Sequence, residues 1–320
     1  MSNAVSILFS ILKIVVGFVL LIKGADFFVD GSAAVASKLG VPQIVIGLTI
    51  VAFGTSAPEA AVSLSAALLG NNGISVGNVL GSNTINILLV LGVSSIITTL
   101  HVKKDALRVD IPFMILSTVV MVCWGLFVGR FNKLSGAIFL AALIIYLIYL
   151  YRYAKTHGSD DEEDVKDIKI WLLPIYIIGG LIAIVGGSDI TINGATALAH
   201  IFNVSDRVIG LTIIAFGTSL PELITSATAA RKGNADIAIG NIVGSNLFNI
   251  LFIIGLTSMI IDLPYVSKNA SFVLDGFVAL FAAVLLWLLT FKEGKLGRAG
   301  GIVMLLFYAV YFAYLMITTL

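Results

Sequence analysis

Two glutamates lie where a carboxylate is costly, deep inside long apolar runs of the chain. Glu59 ends the segment GTSAPE (54–59) and Glu222 ends the segment GTSLPE (217–222). A carboxylate in a membrane-spanning segment costs several kcal/mol unless other groups compensate it. The proline before each glutamate removes one helical hydrogen bond and displaces the carbonyl four residues earlier, so we expect each helix to break there. The freed carbonyl oxygens must then be buried in protein or line a polar cavity.

The side chains around each glutamate are oxygen donors. A threonine lies four residues before each glutamate on the same helical face, and a serine follows it. The segments GSNTIN (81–86) and GSNLFN (244–249) each place a serine and an asparagine one turn apart. Such a set, without histidine or cysteine, favours hard cations such as Ca²⁺ over transition metals. Two glutamates carry charge −2, which neutralises one Ca²⁺ or two Na⁺, so charge arithmetic predicts a site that exchanges these ions. The candidate ligands are Thr55, Ser56, Ser82 and Asn86 in the first half of the chain and Thr218, Ser219, Ser245 and Asn249 in the second.

The two halves of the chain repeat each other. A shift of 163 positions lays GLTIVAFGTSAPE (47–59) on GLTIIAFGTSLPE (210–222), with 11 of 13 residues identical. The register holds from residue 17 to residue 88 without a gap. Apolar runs predict five helices in each half, and because five is odd the second repeat must enter the bilayer in the opposite sense. The predicted helices cover residues 5–37, 41–70, 74–98, 108–129, 133–155, 168–200, 206–231, 236–262, 268–291 and 296–318.

The composition excludes a water-soluble globule. Hydrophobic residues make up 59% of the 320 residues, charged residues 12%, and the mean hydropathy is +1.07, whereas a soluble domain carries about 25% charged residues. The apolar runs are long and unbroken, which also excludes an outer-membrane barrel. The net charge of +1 indicates no nucleic-acid partner, and the single cysteine, Cys123, cannot form an internal disulfide. We therefore expect an all-α polytopic membrane protein with ten transmembrane helices in two inverted five-helix repeats, the second and seventh helices being broken.

The charged residues predict the topology. One hydrophilic segment divides the chain into a first repeat (1–155, motif 47–88), an acidic linker (156–167) and a second repeat (168–320, motif 210–251). The loops on the linker's side carry thirteen Lys and Arg residues, and the opposite loops carry four. Because positive residues collect on the cytoplasmic side, we expect the linker in the cytoplasm, both termini outside, and the protein in the cell membrane.

The paired GTSxPE segments, each followed by a GN-x-x-GSN segment, resemble the two α-repeats of the sodium/calcium exchanger family. The resemblance covers nearly the whole chain. It implies ten helices, alternating access and a central diamond of Na⁺ and Ca²⁺ sites. Carried over by motif position, Glu59 and Glu222 are shared by both ions, and Thr55 and Thr218 add oxygens for Ca²⁺. The flanking Na⁺ sites are implied at Ala52, Ser56 and Ser82 and at Ala215, Ser219 and Ser245, the alanines acting through their carbonyls.

The resemblance also implies about three Na⁺ per Ca²⁺, with Ca²⁺ extruded, and no cofactor or obligatory protein partner. Asn86 and Asn249 match the family's central polar pair, where some members, and potassium-dependent relatives characteristically, carry an aspartate. Their neutrality here disfavours K⁺ cotransport and a protonatable third carboxylate. The proton-coupled branch of the superfamily lacks GTSxPE, which disfavours H⁺/Ca²⁺ exchange. The calcium-sensing domains of animal exchangers are not in this sequence, so regulation by them is not expected.

Other functional classes explain less. A cation channel usually builds a ring of oxygens by oligomerisation, whereas inverted repeats in one chain suit rocking about a fixed site. A hydrolase would need a nucleophile or a metal-binding histidine motif beside the glutamates, and none is present, so no enzymatic activity is expected. Asp26 and Asp189 are expected to bond neighbouring helix ends. Glycines recurring every seven residues, at 17, 24, 31 and 180, 187, 194, predict close helix contacts, either static or sliding.

Overall fold

A computed structural model describes residues 3–70, 72–157, 166–202, 215–266 and 272–319. These residues are mainly helical, with four two-residue strands. The helices are α1 (Asn3–Leu39), α2a (Gln43–Thr55), α2b (Ala57–Leu68), α3 (Gly73–Ile97), α4 (Ala106–Val128), α5 (Lys133–Thr156), α6 (Ile170–Ile201), α7a (Ala215–Thr218), α7b (Leu220–Arg231), α8 (Ala235–Ile260), α9 (Val273–Phe291) and α10 (Arg298–Thr319). The strands are β1 (Leu100–His101), β2 (Arg130–Phe131), β3 (Leu263–Pro264) and β4 (Lys295–Leu296).

The helices have the lengths and composition of membrane spans. Within the described residues, eight are long and apolar enough to cross a bilayer, and α2a with α2b forms a further candidate bent by 47°. The seventh helix is broken at the equivalent residue, Ser219. Residues 206–214, predicted as its first part, lie outside the described residues, as does the acidic run 160–164 of the linker. The expected all-α polytopic fold with broken second and seventh helices is confirmed.

The broken helices and their followers form the centre of the molecule. In the most apolar window of α8, 94% of the residues are buried, and in that of α3, 72% are buried. The helix α8 packs on α2a and α7b, and α3 packs on α2b and α7b. The helices α5 and α10 cover this group by equivalent contacts, α5 against α8 and α10 against α3. The core motifs are therefore held away from lipid by helices of both repeats.

The helices α1 and α6 pack along each other at one side of this centre. A Cβ added to Gly17 would lie 2.7 Å from the carbonyl oxygen of Gly187, and one added to Gly187 would lie 2.8 Å from that of Gly17. Gly24 and Gly180 meet in the same way, at 2.8 and 2.9 Å. The predicted close contact of the glycine stripes is thus a contact between the first helices of the two repeats.

The repeat continues through the fourth and fifth helices, where the shift becomes 165. The Tyr146 hydroxyl donates to Asp110 over 2.8 Å, and 165 residues later the Tyr311 hydroxyl donates to Asp275 over 2.6 Å. The sequence match at a shift of 163 was followed only to residue 88, so it did not reach this part of the repeat. Since β1 and β3 still correspond at 163, the second repeat has two extra residues between Pro264 and Asp275.

The strands follow the same symmetry. Antiparallel pairing joins β1 to β4 and β2 to β3. Each pair takes one strand from each repeat, so the loops at both ends of the molecule are tied across the repeats. Together with the α1–α6 pair, these strand pairs connect the two repeats.

Candidate cation site

The two glutamates lie in the first turns of helices that begin at the breaks. The backbone leaves helical geometry at Ser56, with φ −84° and ψ 5°, and at Ser219, with φ −89° and ψ 4°. Pro58 and Pro221 then occupy the first turns of α2b and α7b, where a proline's missing N–H removes no helical bond. The break thus comes two residues before each proline. A helix N-terminus favours a negative charge, so each carboxylate sits at the favourable end of its helix.

The carboxylates are completely buried and have hydroxyl groups from both repeats beside them. Glu59 and Glu222 both have 0% exposure. The Ser56 hydroxyl donates to Glu222 Oε1 over 3.0 Å. The hydroxyls of Ser219 and Ser82 lie beside the Glu59 carboxylate, and the two carboxylates interact electrostatically. The site is therefore one cluster that spans both repeats.

Several oxygens of this cluster lack a hydrogen-bond donor. No donor makes a hydrogen bond of good distance and angle to either Glu59 oxygen or to Glu222 Oε2. The same is true of the Oδ1 atoms of Asn86 and Asn249. Buried polar atoms without a partner are rare and costly in folded proteins. Oxygens of this kind are the ligands that hard cations take, so bound cations would supply the missing partners. Among the described residues, no three His, Cys, Asp or Glu side chains come together, so the charge of the cluster comes from these two carboxylates.

The chain matches one protein family over nearly all of its length. The family model described as sodium/calcium exchanger protein matches residues 9–152 and 172–317. The chain belongs to the sodium/calcium exchanger family.

Similar proteins support the assignment. The sodium/calcium exchanger MaX1 of Methanosarcina acetivorans is 31% identical over 94% of this chain and 96% of its own length. Inner membrane protein YrbG of Escherichia coli is 36% identical over 91% of this chain and 92% of its own length. A solved structure of the sodium-calcium exchanger NCX_Mj, soaked with Na⁺ and Ca²⁺, superposes with a TM-score of 0.82 at 33% identity. The superposition covers 95% of this chain and 97% of the NCX_Mj chain.

The family motif residues meet across the repeats of this family member. The Ser245 hydroxyl points at the Ala52 carbonyl, 3.4 Å away, and Thr55 and Thr218 are buried at the ends of α2a and α7a. Ala215 begins the described part of α7a. The structure thus brings Ser56 to Glu222, Ser219 to Glu59 and Ser245 to the Ala52 carbonyl, three contacts that join one repeat to the other. Ser82 lies beside Glu59 within its own repeat.

Sequence reasoning missed a second layer of amides behind the site. The Thr55 hydroxyl donates to Asn241 Oδ1 over 2.9 Å, and the Asn241 amide donates to Ser226 over 2.9 Å. The equivalent Asn78 donates to Ser63 over 3.0 Å and to the Glu59 carbonyl over 3.2 Å. Asn78 and Asn241 are the first asparagines of the repeated GN-x-x-GSN segment. The presence of the same residue at this position in both repeats was a signal of a role. The spacing alone did not predict which residues they would bond.

Proposed function

We propose that this protein is a secondary active antiporter that exchanges Na⁺ for Ca²⁺ by alternating access. The observation that carries the proposal is the pair of fully buried carboxylates, Glu59 and Glu222, at the breaks of two helices from opposite repeats. Three of their four oxygens, with the amide oxygens of Asn86 and Asn249, lack a hydrogen-bond donor. Sodium/calcium exchange is also the named activity of the relatives MaX1 and NCX_Mj.

Calcium takes six to eight oxygen ligands in flexible geometry, which suits a cluster built from two broken helices. In the proposed arrangement, Ca²⁺ binds between Glu59 and Glu222 with the threonine oxygens, and Na⁺ occupies the same carboxylates with the flanking groups. The contacts of Ser56 with Glu222 and of Ser245 with the Ala52 carbonyl support flanking sites assembled from both repeats. The proposed ligands are Ala52, Thr55, Ser56, Glu59, Ser82 and Asn86, with Ala215, Thr218, Ser219, Glu222, Ser245 and Asn249.

The proposed stoichiometry is three Na⁺ for one Ca²⁺. The count of three comes from the family, whereas two glutamates alone would be satisfied by two Na⁺. A site of charge −2 that carries one Ca²⁺ is neutral, and with three Na⁺ it carries +1, so each cycle moves one positive charge. A membrane potential of about 100 mV would then contribute about 2.3 kcal/mol per cycle. Exchange that does not respond to a clamped voltage in proteoliposomes would rule out three-for-one coupling.

The orientation follows from the charge bias of the loops. We place the positive side, with the linker 156–167, in the cytoplasm and both termini outside the cell membrane. Calcium extrusion then requires Na⁺ to enter from the side of the termini. Impermeant labelling of a cysteine introduced into the linker, in a Cys123→Ser background, tests this orientation: labelling only after the membrane is opened supports it.

The exchange activity is tested with purified protein in proteoliposomes. Vesicles loaded with Na⁺ should take up radioactive Ca²⁺ from a K⁺-free medium, and vesicles loaded with choline should not. Since Asn86 and Asn249 are both neutral, added K⁺ should leave uptake unchanged. Uptake that is equal in both kinds of vesicle would indicate a channel, and uptake that depends on an outward proton gradient would indicate H⁺/Ca²⁺ exchange. Either result would refute the proposed function.

A further inference from the structure

Four asparagines meet where α3 crosses α8. The Asn83 side-chain NH₂ donates to the Asn246 backbone carbonyl over 3.3 Å, and the Asn246 side-chain NH₂ donates to the Asn83 backbone carbonyl over 3.2 Å. These two residues are equivalent under the shift of 163, so their reciprocal bonds lie on the pseudo-two-fold axis. Both are almost completely buried, at 2% and 1% exposure. A π-helical turn begins three residues later in each helix, at Asn86 and Asn249.

These bonds determine which way the amides point. A backbone carbonyl can only accept, so the side-chain atom of Asn83 or Asn246 that faces it must be the NH₂ group. The Oδ1 of Asn83 is therefore free to accept from Asn249 Nδ2, at 2.9 Å, and the Oδ1 of Asn246 accepts from Asn86 Nδ2, at 3.1 Å. The amide nitrogens of Asn86 and Asn249 are thus held at the helix crossing. Their Oδ1 atoms are left buried without a donor.

We propose that Asn83 and Asn246 are positioning residues that fix the orientation of the two amides in the cation site. The inference rests on the proposed Na⁺/Ca²⁺ site. An amide turned by half a rotation would present its partly positive NH₂ group to the cation instead of its oxygen. The relation is crossed: Asn83 orients Asn249, and Asn246 orients Asn86. Outer partners of this kind commonly change metal affinity about 10- to 100-fold when removed.

Double-mutant cycles of Ca²⁺ affinity test this crossed relation in purified full-length protein. Asn83→Ala and Asn249→Ala should each weaken Ca²⁺ binding about tenfold. The double variant should bind no more weakly than Asn249→Ala alone, because an amide that is absent cannot be misoriented. The matched control is Asn83→Ala with Asn86→Ala, which share no hydrogen bond, so their losses should multiply. Asn246→Ala should couple to Asn86→Ala and not to Asn249→Ala.

A purely structural role would not give this crossed pattern, since loosening the helix crossing would affect both amides alike. Losses that multiply in every pair, with Asn86 and Asn249 still required for affinity, would overturn the positioning role and leave the proposed function intact. Unchanged Ca²⁺ affinity in Asn86→Ala and Asn249→Ala would show that neither amide binds Ca²⁺. That result would overturn the inference and this part of the proposed site. If Asn83→Ala does not fold, Asn83→Leu serves, because leucine has nearly the branched shape of asparagine and cannot accept a hydrogen bond from the Asn249 amide.

Discussion

At the scale of single residues, the charge of the two buried glutamates is the essential property of the site. Glu59→Gln or Glu222→Gln keeps the shape of the side chain and removes half of the neutralising charge. Two unit charges about 4 Å apart interact by about 4 kcal/mol at an effective dielectric near 20, and a divalent ion doubles this. We therefore expect either variant to lose Ca²⁺/Na⁺ exchange in proteoliposomes while it remains folded.

The matched control is Glu293→Gln, which neutralises an exposed glutamate paired with Lys295 over 3.2 Å. This variant should exchange at the wild-type rate. Exchange at the wild-type rate in Glu59→Gln or Glu222→Gln would mean that the carboxylates do not hold the ions. Thermal unfolding of each purified variant separates loss of the site from loss of the fold.

The sequence predicted which residues carry oxygen and charge, but not which of them touch. A shift of 163 pairs Ser56 with Ser219 as equivalents, whereas in the structure Ser56 donates to Glu222 of the other repeat. Equivalence in a repeat says where a residue lies within its own unit, and contact depends on how the two units pack. The roles of Asn78 and Asn83 stayed hidden for the same reason, since their partners are set by helix crossings.

At the scale of helices, the contact between α1 and α6 depends on glycines that allow the backbones to approach. A Cβ at Gly187 would lie 2.8 Å from the Gly17 carbonyl, and one at Gly186 would meet nothing within 4 Å. We expect Gly187→Ala to lower stability by about 1–3 kcal/mol, the usual cost of overpacking. Gly186→Ala should be neutral or stabilising, because alanine favours a helix over glycine by about 0.5–1 kcal/mol.

Thermal unfolding in detergent, together with exchange in proteoliposomes, measures both variants. A lower melting temperature in Gly187→Ala and not in Gly186→Ala supports the close approach. Equal melting temperatures would show that the two helices do not rely on that contact. The seven-residue spacing predicted that these glycines pack closely, and the antiparallel pairing of α1 with α6 follows from the inverted repeats.

At the scale of the whole molecule, the two repeats are equivalent in fold but not in their contacts. The helix α1 packs along α7b, and this packing has no counterpart of similar extent between α6 and α2b in the described residues. Lys232 contacts Asp30 over 2.5 Å and Asp26 over 3.4 Å. The position equivalent to Lys232 in the first repeat is the uncharged, exposed Leu69. With the proposed orientation, this additional packing of α1 on α7b lies on the cytoplasmic side.

The ion pairs of Lys232 are expected to stabilise the packing of α1 on α7b. Removing a charged hydrogen bond costs about 1.5 kcal/mol, which is about a tenfold change in an equilibrium constant. Lys232→Met should therefore increase cytoplasmic labelling of a cysteine placed at the buried Thr228, one turn earlier on α7b, in a Cys123→Ser background. Arg130→Met, which removes an exposed ion pair with Asp262, is the control and should leave labelling unchanged. Equal labelling in the Lys232→Met variant and its parent would show that the ion pairs do not set the conformation.

The sequence predicted the inverted symmetry of the molecule because the odd number of helices and the repeated motifs require it. It could not predict the asymmetry. Two equivalent repeats could pack α1 on α7b or α6 on α2b, and the repeated sequence does not indicate which packing the molecule adopts. The two extra residues between Pro264 and Asp275 were missed because a fixed shift cannot follow an insertion.

The central claim is that Na⁺ and Ca²⁺ occupy one site in turn, and equilibrium Ca²⁺ binding to the purified protein tests it most directly. The account predicts about one Ca²⁺ per chain, displaced by Na⁺ with a steep, cooperative dependence because several Na⁺ replace one Ca²⁺ at shared ligands. Choline at the same ionic strength should not displace it. Ca²⁺ that stays bound at saturating Na⁺, with both ions held at once, would contradict the claim.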